Sequence, residues 1–145
     1  MSDIYFLCYR SVATAAPASS ELFRDIADIL DIARVKNDET HLSGALLFAQ
    51  GYFCQILEGQ KGVVMALYEK LKNDPRHHDL KILSAGYRSS RSFSGWSMAY
   101  AGNIDSPSAE IEGILKSPEE LPTTEAGQVI RDFMTQHVAK AHASE

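Results

Sequence analysis

Gly51-Tyr52-Phe53-Cys54-Gln55-Ile56-Leu57-Glu58-Gly59 reads as a short strand bounded by glycines. Just before it, residues 42–50 form another strand-like run, and the two meet tightly at Gly51 as a hairpin. Alternation puts Gln55 on one face with Phe53 and Leu57, so its amide points into an apolar layer. A primary amide carries two donors and two acceptor lone pairs, and leaving such groups unpaired in a core costs about 1–3 kcal/mol. Gln55 therefore needs a partner, and that partner need not be protein.

Working outward from the hairpin gives the order of elements. Residues 3–11 make an aromatic-rich first strand. Pro17 and Ser19-Ser20 open a helix reaching about Asn37, with Leu22, Ile26, Ile29, Leu30 and Ala33 as its apolar stripe. After the hairpin comes a second helix, with Val64, Leu67, Tyr68 and Leu71 inward, stopped by the Asn-Asp-Pro at 73–75. Residues 80–87 give a fourth strand and 96–101 a short fifth. The order β-α-β-β-α-β-β predicts an α+β fold: a ferredoxin-like, five-stranded mixed sheet with both helices on one face.

The other face then needs a cover. Phe6, Cys8, Tyr52, Cys54 and Ile56 fall on it and are too apolar to be left wet. From Thr124 onward Ala126, Val129, Ile130, Phe133, Met134, His137 and Val138 trace one helical stripe, which supplies a lid. A weaker helix is predicted over 107–116, interrupted by Gly113. The expected division is residues 1–103 as the sheet domain and 104–145 as its helical cap.

Composition excludes several classes of function. The chain has 145 residues, 45% of them hydrophobic, which suits one globular domain with a real core. Its net charge of −5 argues against a general nucleic-acid or anionic-membrane binder. No apolar run reaches the roughly 20 residues of a membrane span, and no signal pattern opens the chain. Cys8 and Cys54 do not make a disulfide framework, so a reducing cytoplasm is expected. On the same sheet face of neighbouring strands they read as packing groups. His77-His78-Asp79 has no companion ligands at metal spacing and reads as a solvated turn. Arg88 and Arg91, in a serine-rich stretch, read as a surface patch. Trp96 alone reads as a core residue.

The polar residues within the scheme are where chemistry can live. Tyr9 falls on the helix-facing side of the first strand, in phase with Tyr5 and Leu7. Asn37 ends the inward stripe of the first helix. In a ferredoxin-like sheet the first and third strands are central neighbours, so Tyr9 and Gln55 can touch. A phenol, two amides and apolar walls describe a pocket for a flat, hydrogen-bonding ring. Periodicity alone favours the plainer reading, a tyrosine–glutamine bond that satisfies two core polar groups.

The run Cys8-Tyr9-Arg10-Ser11, then Asn37, then Leu42-Ser43-Gly44-Ala45-Leu46, resembles the BLUF family of blue-light sensors using flavin. So do the Gly51-to-Gly59 run, Asp74-Pro75-Arg76-His77 and Gly95-Trp96-Ser97-Met98, all in family order across about residues 3 to 101. The C-terminal segment resembles the helical cap of short, stand-alone members. That resemblance implies a photoreceptor binding flavin non-covalently: FAD, with FMN or riboflavin compatible. Gln55 matches the switch glutamine bonding the ring at N5 and O4. Tyr9 matches the tyrosine that holds it and gives an electron to the excited flavin. Asn37 matches the asparagine gripping the pyrimidine edge, and Arg76 a basic residue reaching the same edge. His77 would lie near that edge or the ribityl-phosphate side. Ile29, Leu46 and Phe53 match the apolar cradle. Trp96 and Met98 match the pair competing for the place beside the glutamine. Lys36 stands where relatives commonly carry asparagine or histidine.

The implied output is a hydrogen-bond switch passed to a separate partner protein, with a homo-oligomer expected and no nucleic acid, membrane or metal. A dark flavin reductase or a plain interaction module are the competing classes. The sequence offers an enzyme no nucleophile–base grouping, P-loop or dinucleotide fingerprint, and an interaction module explains the cap and sheet but not Tyr9, Asn37 and Gln55 pointing into one pocket.

Overall fold

A computed structural model describes residues 3–104, 109–117 and 123–143. The elements run β1 (Ile4–Ala13), α1 (Ser20–Glu39), β2 (Ser43–Ala49), β3 (Tyr52–Gly59), α2 (Lys61–Leu71), β4 (His77–Arg88), β5 (Ala99–Ile104), α3 (Ala109–Lys116) and α4 (Thr123–Ala143). The sheet order is β4-β1-β3-β2-β5. β4, β1, β3 and β2 pair antiparallel, and β5 joins β2 in parallel, which makes the sheet mixed.

Local chemistry fixes the register of the β2–β3 hairpin. Gln50 and Gly51 form a two-residue turn between paired Ala49 and Tyr52, with φ of 50° and 89°. Such primed turns need positive φ at both positions, which is why a glycine follows the glutamine. β3 then lies against β1 with Tyr9 directly opposite Gln55 and Cys8 opposite Ile56. α1 starts where expected, because Ser19 Oγ accepts from Leu22 N at 3.1 Å and so caps the first turn.

The sheet separates two cores. On one face Tyr5, Leu7, Tyr9, Phe53 and Leu57 pack with Leu22, Ile26 and Leu30 of α1 and Val64 and Tyr68 of α2. On the other, Cys8, Cys54 and Ile56 pack under Ile111, Ile114, Ile130 and Met134 of the last two helices. α4 approaches β4 so closely that a Cβ added at Gly127 would lie 2.2 Å from Ser84 Cβ. Only glycine lets helix and strand meet there. Among the described residues no helix is long and apolar enough to cross a membrane.

Several boundaries differ from the sequence expectation. β4 begins at His77, so His77-His78-Asp79 is strand, not turn; a bulge opposite Arg10 and Val12 absorbs Asp79, whose φ is 55°. β5 begins at Ala99, which leaves Trp96 and Met98 in the segment leading into it. The weaker helix is seen over Ala109–Lys116, and the first two positions expected for it, 107 and 108, lie outside the described residues. Arg88 is the half-buried end of β4.

Arg91 is no surface patch either. Its guanidinium donates to Ser43 Oγ at 2.9 Å, Glu58 O at 3.1 Å and His41 O at 2.8 Å. The adjoining Glu58 carboxylate is 1% exposed and accepts from Ser43 Oγ, Ser92 N and Phe93 N at 2.9, 2.6 and 3.0 Å. Together they tie the ends of β2 and β3 to the β4–β5 connection.

Candidate functional site

Tyr9 on β1 and Gln55 on β3 are cross-strand partners, 2% and 4% exposed. The Tyr9 hydroxyl donates to Gln55 Oε1. That bond orients the amide and leaves Nε2 toward Met98 Sδ at 3.6 Å, a weak acceptor. Burial pushes the Tyr9 phenol well above its ordinary value, and the nearby Cys54 and Tyr68 raise it further. At neutral pH the phenol is therefore a proton donor. Its ring stands edge-on to Tyr68, with centroids 5.3 Å apart.

These two residues floor a narrow cleft that holds about 90 Å3 of water-accessible space. Leu46 and Phe53 complete the floor. Ile29, Ile32, Ala33, Lys36 and Asn37 of α1 form one wall, and Leu67 and Leu71 of α2 the other, with Asp74, Arg76 and His77 at the end. Eight sequence-predicted site residues thus share one cleft: Tyr9, Gln55, Asn37, Arg76, His77, Ile29, Leu46 and Phe53. Met98 is 1% exposed and joins them through Gln55. Trp96 does not: it is 37% exposed and borders a separate, shallower groove.

The polar end of the cleft is more constrained than its residue types suggest. Arg76 is forked onto Asp74, with Nε 3.0 Å from Oδ1 and Nη2 2.6 Å from Oδ2. This pairing holds the Asp74 carboxyl below its usual range and raises the Arg76 guanidinium. Arg76 thus brings nearly neutral, directed donors to the cleft, since Asp74 offsets its charge. Lys36, left out of the expected site, lines the cleft from its exposed rim. Asn37 is 1% exposed and its Nδ2 donates to Ser97 O at 2.8 Å, so its carbonyl oxygen is the atom able to accept from a ligand.

His77 has both ring nitrogens engaged. Nε2 lies 2.7 Å from Leu71 O, and Nδ1 lies 2.7 Å from Ser11 Oγ. A carbonyl only accepts, so Nε2 carries the proton and neutral Nδ1 accepts from the serine. What remains for a ligand is the ring itself, which stands edge-on to Tyr9 and Phe53 at 6.3 Å. Burial lowers the His77 pKa below its ordinary 6.5. The neutral form is then favoured in the folded state, so its contribution to stability is present above pH ~6.5. That contribution shrinks as pH falls from there towards the folded-state value. Melting of the parent chain is expected to weaken between pH 7.5 and pH 5, and His77→Phe to melt lower but with a flatter pH profile. A parallel slope in both would remove His77 from the account.

The roles of three residues were not read from the sequence. Asp74 was legible in principle, because Asp-x-Arg across a turn favours the side-chain fork seen here. Arg34, three residues before Asn37 on one helix face, donates from Nε to Met98 O at 3.1 Å. Glu58 carried no local signal, since two of its donors arrive 34 and 35 residues later.

The donor set fits a flavin ring: an apolar slot, an amide and a phenol on one edge, and an asparagine with a neutralised arginine at the polar end. Cys8 and Cys54 lie behind it on the opposite sheet face as free, buried thiols. A hydrogen bond with Cys8 and burial push the Cys54 thiol up, which leaves it poorly nucleophilic. Among the described residues no grouping of three His, Cys, Asp or Glu could hold a metal.

Residues 4–99 match the BLUF family, described as sensors of blue-light using FAD. Over 69 residues the chain is 42% identical to the photoactivated adenylate cyclase subunit alpha of Euglena gracilis, covering 48% of this chain and 7% of that protein. Over 73 residues it is 33% identical to the blue light- and temperature-regulated antirepressor BluF of Escherichia coli K12, covering 50% and 18%. The chain therefore spans only a small part of either relative's length. The photo-activated state of BlsA matches with a TM-score of 0.71 at 30% identity, covering 93% of this chain and 94% of that one. The dark state of BlrB matches the fold with a TM-score of 0.67 at 24% identity, covering 96% and 98%. Fold, cleft and family match agree: the chain belongs to the BLUF family of flavin-based blue-light sensors.

Proposed function

We propose that this chain senses blue light by a hydrogen-bond switch at Gln55 driven from Tyr9, and passes the change to a separate partner protein. The observation that carries the proposal is the buried Tyr9–Gln55 bond on the cleft floor with Met98 as the amide's other neighbour. When bound, the flavin supplies blue absorption and an excited state able to take an electron.

The protein's residues account for the rest. Tyr9, buried and protonated, is the electron donor within reach; once oxidised, its phenolic proton becomes strongly acidic and leaves with the electron. Return of both to Tyr9 restores the phenol. In between, Gln55 has lost its donor and is free to rotate or tautomerise. Asn37 and the Asp74-paired Arg76 hold the polar edge of the ring, while Ile29, Leu46 and Phe53 exclude water from its faces. No covalent bond to the chromophore is made, so the event is switching and not turnover.

Output follows from what touches the switch. A turned amide no longer offers Nε2 to Met98, which alters the segment entering β5. β5 lies next to β2 and beneath α4, so α4 serves as the cap that reads the change. A coupling of about 1–3 kcal/mol between the two arrangements suffices for such a signal. Ile82 and Tyr87, exposed on edge strand β4, support self-association. The free thiols support a reducing, cytoplasmic setting.

The test is the visible spectrum of protein purified in darkness, before and after a blue flash. A flavin spectrum that moves slightly to the red and recovers in the dark without bleaching is expected. A colourless protein that refuses added flavin, or a flavin that only bleaches, would contradict the reading.

A further inference from the structure

Three successive carbonyls ahead of β5 are each taken by a different donor. Trp96 O accepts from Gly44 N at 3.2 Å, Ser97 O from Asn37 Nδ2 at 2.8 Å, and Met98 O from Arg34 Nε at 3.1 Å. Regular strand pairing resumes only at Ala99, which lies opposite Ala45. Arg34 and Asn37 are three apart on α1 and therefore share a face. One helix face thus holds the backbone of the segment that carries both Trp96 and Met98. Gly95, with φ of 87°, starts that segment with a sharp change of direction.

Which side chain sits beside Gln55 depends on how this backbone is held. Met98 sits there now, while Trp96 is 37% exposed. Both side chains hang from this one held segment, so a change in how it is held moves them together. The bond from Gln55 Nε2 to sulfur is weak, and it cannot alone fix the choice. A guanidinium N–H on a carbonyl is a stronger, charge-assisted tie.

We propose that Arg34 is a latch: its bond to Met98 O holds the segment with Met98 inside, and its release lets Trp96 take that place. Arg34 acts through the segment and so is a positioning residue. This rests on the reading that the Trp96/Met98 pair answers to Gln55. Arg34 is exposed and does not line the cleft, so its loss leaves the flavin contacts intact. Asn37, whose amide lies in the cleft, offers no such separation.

Trp96 is the sole tryptophan, which makes its fluorescence a clean reporter. The experiment is acrylamide quenching of that fluorescence in darkness, on the flavin-loaded chain, for the parent, Arg34→Ala and Arg34→Lys. The parent's Trp96 is expected to be readily quenched. Arg34→Ala is expected to shield it, with about a fivefold change in the ratio of the two arrangements, the effect of losing one hydrogen bond. Recovery of the red shift should slow by a similar factor, because the latched arrangement that favours return is weakened. Arg34→Lys, which keeps a cation able to donate to the carbonyl, should restore most of both. Equal quenching and equal recovery in Arg34→Ala and the parent would overturn the latch. Absence of any red shift in the parent would instead overturn the photoswitch, while the dark quenching comparison would still decide the latch.

Discussion

Tyr9→Phe is expected to bind flavin normally and to show no lasting red shift after a blue flash. The substitution keeps the ring, its edge-on contact with Tyr68 and the cleft's shape, and removes only the hydroxyl. That hydroxyl is the donor to Gln55 Oε1 and the source of the transferred proton. Without it the electron can no longer move with a proton from this site, and the amide has no partner to lose. Gln55→Leu should reach the same endpoint from the other side of the bond. The structural effect of Tyr9→Phe is smaller, about 1–3 kcal/mol for a buried acceptor left unpaired. The loss is therefore expected in the light response with the fold retained. A Tyr9→Phe protein that switches and recovers like the parent would remove Tyr9 from the mechanism.

Glu58→Ala carries the largest expected effect on stability. Its carboxylate, buried at the end of β3, takes bonds from Ser43 Oγ, Ser92 N and Phe93 N. Truncation leaves Ser43 Oγ, Ser92 N and Phe93 N without this acceptor, and each buried donor so unpaired costs about 1–3 kcal/mol. Glu58→Gln keeps one acceptor oxygen but turns an N–H toward a backbone N–H, so a loss of about 1–3 kcal/mol is expected. Urea unfolding measures both. Because the anchored stretch leads directly into Trp96–Met98, recovery kinetics in Glu58→Gln should also depart from the parent. A Glu58→Ala midpoint within about 0.5 kcal/mol of the parent would show that the carboxylate anchors nothing.

The sheet was legible because its signals are local. Period-two alternation in residues 51–59 puts Gln55 on the side of Phe53 and Leu57, and the same rule puts Tyr9 with Leu7. The split βαβ order then makes their strands neighbours. The tight turn at Gln50-Gly51 sets only the β2–β3 register, whereas the direct opposition of Tyr9 and Gln55 belongs to the long-range β1–β3 pairing. Apolar stripes on α1, α2 and α4 were equally readable, since helix spacing is written in the sequence itself.

What stayed hidden depends on partners far apart in sequence. Trp96 looks like a strand residue by composition, yet its carbonyl and the next two are held by Gly44, Asn37 and Arg34, and strand pairing waits until Ala99. His77 looks like part of a turn, but a bulge at Asp79 lets the strand begin earlier, and Ser11 and Leu71 engage both ring nitrogens. Arg91 looks like a solvated charge among serines, yet three acceptors from three separate positions converge on it. In each case a side chain makes or takes bonds that ladder or water would otherwise supply, and no periodicity encodes that.

The claim at the centre is that light rewires the hydrogen bond at Gln55. The most direct measurement is the light-minus-dark infrared difference spectrum of the flavin carbonyls, in the parent chain and in Gln55→Leu. A new bond from the turned amide should move a carbonyl band to lower frequency in the parent, and no such change should appear in Gln55→Leu. A visible red shift with an unmoved carbonyl, or a carbonyl change that survives Gln55→Leu, would contradict it.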